Sequence, residues 1–179
     1  GCMWNDIVLE ACRSSVQPGL DLAWLGLGSR SLATLEDRRA LANELLAKLK
    51  YQEFARRDEW ARQVAQVAGT QVPRNLMLAS AALREFEQFG IAVGAHTRRH
   101  PILANTPNPI AWHEISDGRR ELQDLLGQSI HLFAYPNGKP GRDFGAEHVR
   151  MVREAGFTAA VTTVHGAATA RTDVYQLPR

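Results

Sequence analysis

Apolar residues recur at helical spacing in three segments of the first half of the chain. The spacing predicts helices over residues 5–14, from the N-cap residue Thr34 to about Lys50, and from about Glu53 to Ala68. Positions three and four apart share one face of an α-helix, so each segment has an apolar side that a core would bury. Two short apolar strands are expected between the first two helices, around residues 20–25 and 26–32.

The third of these helices carries Arg56, Arg57 and Arg62 on its polar side. A basic binding surface is one interpretation of these arginines. Acidic residues interrupt them, however, which favours an ordinary solvated helix face. We interpret residues 20–75 as a helical insertion and not as a separate domain.

The pattern changes after Gly90 to strands that alternate with helices. Strands are predicted at about 91–95, 131–135, 158–164 and 175–177, and helices at about 80–89, 110–126 and 146–155. Strands separated by helices of this length are typical of parallel βα units. The predicted fold class is therefore α/β, with residues 76–179 as the βα core.

The composition predicts one globular domain spanning residues 1–179, because 45% of the residues are hydrophobic and 22% are charged, as is usual for such domains. Lysine and arginine number 21 against 19 acidic residues, so nucleic acid is not an expected partner. No apolar run reaches the roughly 18 residues that a membrane span needs. Cys2 and Cys12 lack the spacing of a structural zinc site, and we expect them to pack as ordinary core residues.

Candidate metal chemistry lies in the segment 94–101, directly after a predicted strand. His96 and His100 are four residues apart, and a single backbone turn would let both imidazoles face one divalent metal ion. Pro101 disfavours helical geometry at His100, so the pair is expected in a turn at the end of the strand. A pair of solvent-exposed histidines is the alternative.

A second segment, residues 131–141, is an apolar strand that runs into a loop rich in proline and glycine. Such a loop exposes backbone N–H groups, which would stabilise an oxyanion if they lay beside a bound metal. An ordinary tight turn between a strand and a helix is the alternative.

Taken together, the two segments resemble the polysaccharide deacetylase family, also called the NodB-homology family or carbohydrate esterase family 4. His96-Thr97-Arg98-Arg99-His100 is similar to the metal motif H-[ST]-x-x-H of the family. Phe133-Ala134-Tyr135-Pro136-Asn137-Gly138 is similar to its motif R-x-x-x-x-P-Y-G, and Gly156-Phe-Thr-Ala-Ala-Val-Thr-Thr163 to the strand that follows. The resemblance covers residues 76–179 closely and residues 1–75 more loosely.

The resemblance implies a distorted (β/α) barrel in which two histidines and an aspartate hold a divalent metal, zinc or a related ion. His96 and His100 would be the metal ligands, and Thr97 would brace their loop. The backbone N–H of Asn137 would contribute to the oxyanion hole. The remaining residues of the second segment, Tyr135, Pro136 and Gly138, would line the substrate groove.

The chain departs from the family in three places. The aspartate pair that supplies the base and the third metal ligand is not found before His96. His131 stands where the second motif has its arginine, and the late histidine that acts as general acid is unmatched. We therefore expect a partial barrel that is cut at both ends, inactive or nearly so by itself, and prone to self-association through an open sheet edge.

The resemblance thus implies a metal-dependent hydrolase that removes acetyl groups from a polysaccharide or a lipid-linked sugar. A non-catalytic carbohydrate-binding relative of the same fold and an unrelated α/β interaction domain are the alternatives. Acetylated envelope polysaccharides suggest an extracytoplasmic site, but relatives also act inside the cell on small or lipid-linked sugars. The sugar, the acetyl linkage and the metal stay open.

Overall fold

Two hydrophobic cores form in the computed structural model, which describes residues 2–73 and 75–179. The chain divides accordingly into two compact units, Gly1–Ala79 and Ser80–Arg179. The division lies close to the start of the predicted βα core at residue 76. The apolar side chains on either side of it are buried in separate clusters.

The first unit is built mainly from helices. Its elements are α1 (Trp4–Ser14), β1 (Gly19–Asp21), a 3-10 helix (Ala23–Leu25), β2 (Ser29–Ser31), α2 (Leu35–Lys50) and α3 (Phe54–Val67). The two strands pair antiparallel and are shorter than predicted, because the chain turns between them with Gly26 in the left-handed region at φ 70°. Helix α2 begins as predicted, since Thr34 accepts a hydrogen bond from the Asp37 N–H and the Asp37 carboxylate accepts one from the Thr34 N–H.

Arg57 does not lie on a solvated face, although its neighbours Arg56 and Arg62 are exposed. Only 2% of Arg57 is exposed, and its guanidinium carbon lies 5.0 Å from the ring centroids of both Trp4 and Phe54. Helix α1 packs against α3 and covers this position, so the predicted polar assignment of Arg57 is wrong. Periodicity identifies a helix face but cannot show how far a neighbouring helix extends over it.

The second unit carries the parallel sheet. Its elements are α4 (Ser80–Gln88), a 3-10 helix (Leu103–Asn105), α5 (Asn108–Leu126), β3 (Leu132–Ala134), α6 (Ala146–Glu154) and β4 (Ala159–Val161). Strands β3 and β4 pair in parallel with Phe133 opposite Ala160, as the α/β class requires. The predicted α/β class is confirmed.

The sheet is less extensive than predicted. The segments at 91–95 and 175–177 form only single parallel bridges, Ala95 with Phe133 and Leu177 with Val161. The bridges place the first segment beside β3 and the last beside β4, and within the described residues the sheet remains open and forms no closed barrel. Among the helices that the structure describes, none is long and apolar enough to cross a membrane.

Candidate functional site

The predicted histidine turn lies at the C-terminal end of β3. The Ala95 N–H donates to the carbonyl oxygen of Leu132 at 2.8 Å, and the Ala134 N–H donates to that of Ala95 at 2.9 Å. These two bonds align the segment before His96 with β3 in parallel. The turn therefore begins where active sites of parallel α/β sheets collect.

The turn is irregular and held by a hydroxyl group. Thr97 and His100 both have left-handed backbones, with φ of 62° and 57°. The Thr97 hydroxyl donates to the carbonyl oxygen of His96 at 2.5 Å and accepts from the His100 N–H at 3.1 Å. Thr97 therefore braces the backbone between the two histidines.

The imidazoles of His96 and His100 lie edge to face, with ring centroids 4.7 Å apart and ring planes at 68°. The Nδ1 atom of His96 lies 2.7 Å from the carbonyl oxygen of Ala134. A carbonyl oxygen only accepts hydrogen bonds, so Nδ1 must carry the hydrogen and Nε2 keeps its lone pair in the neutral ring. This arrangement is the one found where a histidine binds a metal through Nε2.

Two residues of α5 lie against this turn and are not evident as site residues in the sequence. Glu114 is 2% exposed, and its Oε2 accepts hydrogen bonds from the backbone N–H groups of Arg98 and Arg99 at 3.1 and 2.9 Å. A Cβ at Gly118 would lie 3.2 Å from the carbonyl carbon of Thr97. A carboxylate on the apolar face of a helix is the sequence signal that would have identified Glu114.

The predicted oxyanion loop is also held by backbone contacts. Asn137 and Gly138 have left-handed backbones, with φ of 60° and 67°. The carbonyl oxygen of Asn137 accepts from the Thr163 hydroxyl at 2.7 Å, and that of Gly138 accepts from the Thr163 N–H at 2.9 Å. Within the described residues no acceptor pairs with the Asn137 N–H, which is the donor expected to face an oxyanion.

The side chain of Tyr135 lies in the core and not along a groove. Its ring stacks on Phe144 with centroids 3.8 Å apart, and its hydroxyl donates to the carbonyl oxygen of Tyr175 at 3.0 Å. Burial raises the pKa of this phenol. Pro136 and Gly138 are buried as well, so any lining of a groove falls to backbone atoms of this loop and stays a prediction.

His131 does not adjoin the histidine pair. It precedes β3 by one residue, and three residues of extended chain, about 10 Å, separate it from Ala134. It lines a cavity of about 380 Å³, together with residues 90–93, Gln128, Ser129 and Leu132. His131 lies at the other end of β3 from His96, and its correspondence with the motif arginine stays a prediction.

The two imidazoles suit a divalent metal because both rings supply nitrogen donors and the tautomer of His96 is set. Within the described residues, no group of three or more histidine, cysteine, aspartate or glutamate side chains comes together as a metal site. Among the described residues the histidine turn therefore brings together two imidazoles and no third side chain of these types.

The fold and the turn define an α/β protein with a histidine pair at the carboxyl end of its parallel strands. The sequence model of the polysaccharide deacetylase family matches residues 54–160, and the chain belongs to this family. The match spans both compact units. No curated protein matches the sequence.

Solved structures of deacetylases share the fold. The Streptococcus pyogenes deacetylase PplD, solved in complex with acetate, has a TM-score of 0.55 and 24% identity, over 59% of this chain and 45% of PplD. A polysaccharide deacetylase from Bacillus cereus has a TM-score of 0.52 and 21% identity, over 59% of this chain and 33% of that one. The BpsB deacetylase domain from Bordetella bronchiseptica has a TM-score of 0.53 and 16% identity, over 62% and 51%. The chain thus spans about half or less of each of these three structures.

Proposed function

We propose that this chain forms part of a metal-dependent hydrolase that removes acetyl groups from a polysaccharide or a lipid-linked sugar. The 2.7 Å contact between His96 Nδ1 and the carbonyl oxygen of Ala134 carries the proposal, because it leaves Nε2 free to bind a metal. Membership of the polysaccharide deacetylase family supports the substrate class. Zinc, or a related divalent ion, is a metal that imidazole nitrogens commonly bind.

His96 and His100 would hold the ion from one side of the turn. When bound, a divalent metal supplies Lewis-acid activation of water and of an acetyl carbonyl. The Asn137 N–H would donate a hydrogen bond to the developing oxyanion, and the Thr163 hydroxyl supports the loop by donating to the carbonyl oxygen of the next peptide, that of Asn137. In this proposal the histidines bind the metal, Thr163 supports the loop, and the Asn137 N–H stabilises the oxyanion. The aspartate ligand and base that the family resemblance implies are not found before His96.

Zinc titration by calorimetry at pH 7.5 tests the proposal on three variants. His96→Ala and His100→Ala are expected to abolish binding, because each removes one of the two nitrogen donors. His165→Ala is the matched control, since this histidine is exposed and lies outside the turn. Binding no tighter than millimolar by the unaltered chain, or equal binding by all three variants, would contradict the metal site.

Hydrolysis is tested on the complete protein, loaded with zinc, using acetylated glucosamine oligomers. Release of acetate that requires both histidines is the expected result, because the proposed reaction depends on the metal they hold. Retention of the oligomers without release of acetate would favour the non-catalytic carbohydrate-binding alternative.

A further inference from the structure

Glu114 is a buried carboxylate that accepts hydrogen bonds from one short turn. Its Oε2 accepts from the Arg98 and Arg99 N–H groups, and its Oε1 accepts from Arg99 Nε at 2.6 Å. Burying a carboxylate is unfavourable unless charged and hydrogen-bonding partners satisfy it. These three donors belong to Arg98 and Arg99, which lie between His96 and His100.

Those two backbone N–H groups belong to a turn that is unfavourable by itself. Thr97 and His100 adopt left-handed backbones, which for non-glycine residues persist only when surrounding contacts hold them. Glu114 supplies such contacts from α5, a helix that contributes no ligand. The carboxylate therefore fixes the backbone that carries both imidazoles.

A second feature of α5 acts on the same turn. Gly118 lies one helical turn beyond Glu114, and a Cβ there would come within 3.2 Å of the Thr97 carbonyl carbon and 3.3 Å of the Arg98 nitrogen. Contacts this short would force the turn to shift by a few tenths of an ångström if the residue carried a side chain. Nearer the solvent, Arg98 Nε donates a hydrogen bond to Glu121 Oε2 at 2.9 Å.

We propose that Glu114 is a positioning residue of the histidine pair, holding the turn so that His96 and His100 converge on one metal ion. The proposal rests on the function proposed above. Glu114 does not contact the metal or the substrate, and acts through the Arg98 and Arg99 peptides. Gly118 permits the contact by letting the turn approach the helix.

Glu114→Gln tests the proposal, with Glu121→Gln as the matched control. The glutamine nitrogen would face Arg99 Nε, so two donors would meet and the turn would shift. Glu121→Gln removes the same charge from the same helix but affects only an arginine side chain, because Glu121 is 52% exposed and Glu114 only 2%. Zinc affinity is expected to fall about tenfold or more in Glu114→Gln, as for other supporting residues of metal sites, and to stay unchanged in the control.

Two readouts need no metal. Hydrogen exchange of the Arg98 and Arg99 amides should become faster in Glu114→Gln than in Glu121→Gln. The ¹⁵N shifts of His96 should report loss of its fixed Nδ1–H tautomer. Zinc binding by the unaltered chain that Glu114→Gln leaves unchanged, with slow amide exchange, would overturn the proposal.

Failure of the proposed function gives a different result. If the unaltered chain binds no zinc, the metal site is wrong, and amide exchange and the His96 shifts alone decide whether Glu114 positions the turn.

If Glu114→Gln does not fold, Gly118→Ala replaces it. This variant keeps the carboxylate and strengthens α5, yet its methyl group displaces Thr97, so weaker zinc binding in a folded protein is expected. Unchanged zinc affinity and amide exchange in Gly118→Ala would overturn the proposal.

Discussion

The carbonyl oxygen of Ala134 lies 2.7 Å from Nδ1 of His96, so the last residue of β3 orients the first histidine of the turn. The contact joins two segments 38 residues apart in the chain. It sets the tautomer of an imidazole through the backbone of a parallel sheet, independently of any neighbouring carboxylate.

Gly138→Ala is expected to lower the free energy of unfolding by about 3 kcal/mol, from left-handed strain and overpacking together. The residue has φ 67°, and an added Cβ would lie 2.8 Å from the Thr163 nitrogen. Gly141→Ala is the control, because its φ is 73° but no atom lies within 4 Å of the added Cβ. Urea unfolding measures both, and equal losses would contradict a tight contact at Gly138.

Tyr135→Phe is expected to reduce the free energy of unfolding by about 1 kcal/mol, because it removes the hydrogen bond to the Tyr175 carbonyl while keeping the stack on Phe144. Zinc affinity should not change, since the phenol lies in the core. Urea unfolding and calorimetry check the two expectations. A large effect on zinc or oligosaccharide binding without loss of stability would instead indicate that the phenol reaches a groove.

Arg57→Ala is expected to destabilise the first unit by about 2 kcal/mol, because the buried guanidinium packs over the rings of Trp4 and Phe54. Arg62→Ala, on the exposed side of the same helix, should change stability by less than about 0.5 kcal/mol. Thermal unfolding followed by tryptophan fluorescence distinguishes the two variants. Similar small effects from both would restore the solvated-face interpretation.

His148 is expected to make the second unit less stable in mild acid. Burial lowers the pKa of His148, and the nearby charge of Glu147 opposes the shift. The unfolded chain, with a histidine pKa of about 6.5, then binds the proton more readily than the folded chain. Stability from the neutral ring is therefore complete above about pH 6.5 and is lost as the pH falls towards the lower folded pKa.

Urea unfolding at pH 7.5 and pH 5 tests this expectation in the unaltered chain and in His148→Asn. Asparagine keeps a side-chain oxygen to accept the hydrogen bond that Gly145 N–H donates to His148 Nδ1 at 2.9 Å. The variant should lose less stability between the two pH values. An identical loss would assign the acid sensitivity to other groups.

Local patterns in the sequence were sufficient for most helices. The Thr34 cap and the apolar spacing predicted α2 almost to the residue, and α5 and α6 likewise follow their predicted ranges. The turn after Ala95 was also predicted from the sequence, because Pro101 disfavours helical geometry at His100. Caps, periodicity and proline act within a few residues, so they can be read from the sequence alone.

Strand length and burial depended on residues distant in sequence. The segments 91–95 and 175–177 have strand-like composition, but each makes only one bridge. Strand pairing depends on the packing of the side chains against the neighbouring segment, which composition alone does not determine. Arg57, Glu114 and Tyr135 are polar or amphipathic side chains that the structure buries. Their partners lie on other elements, so periodicity within one element does not reveal which residues they contact.

The sequence by itself determined the helices, the α/β class and the pair of histidines at a strand end, since these depend on local spacing. Only the tertiary structure decided that Ala134 orients His96 and that Glu114 of α5 holds the intervening backbone. Both contacts bring together atoms from separate elements. Their geometry arises when the parallel sheet and its crossover helix pack together.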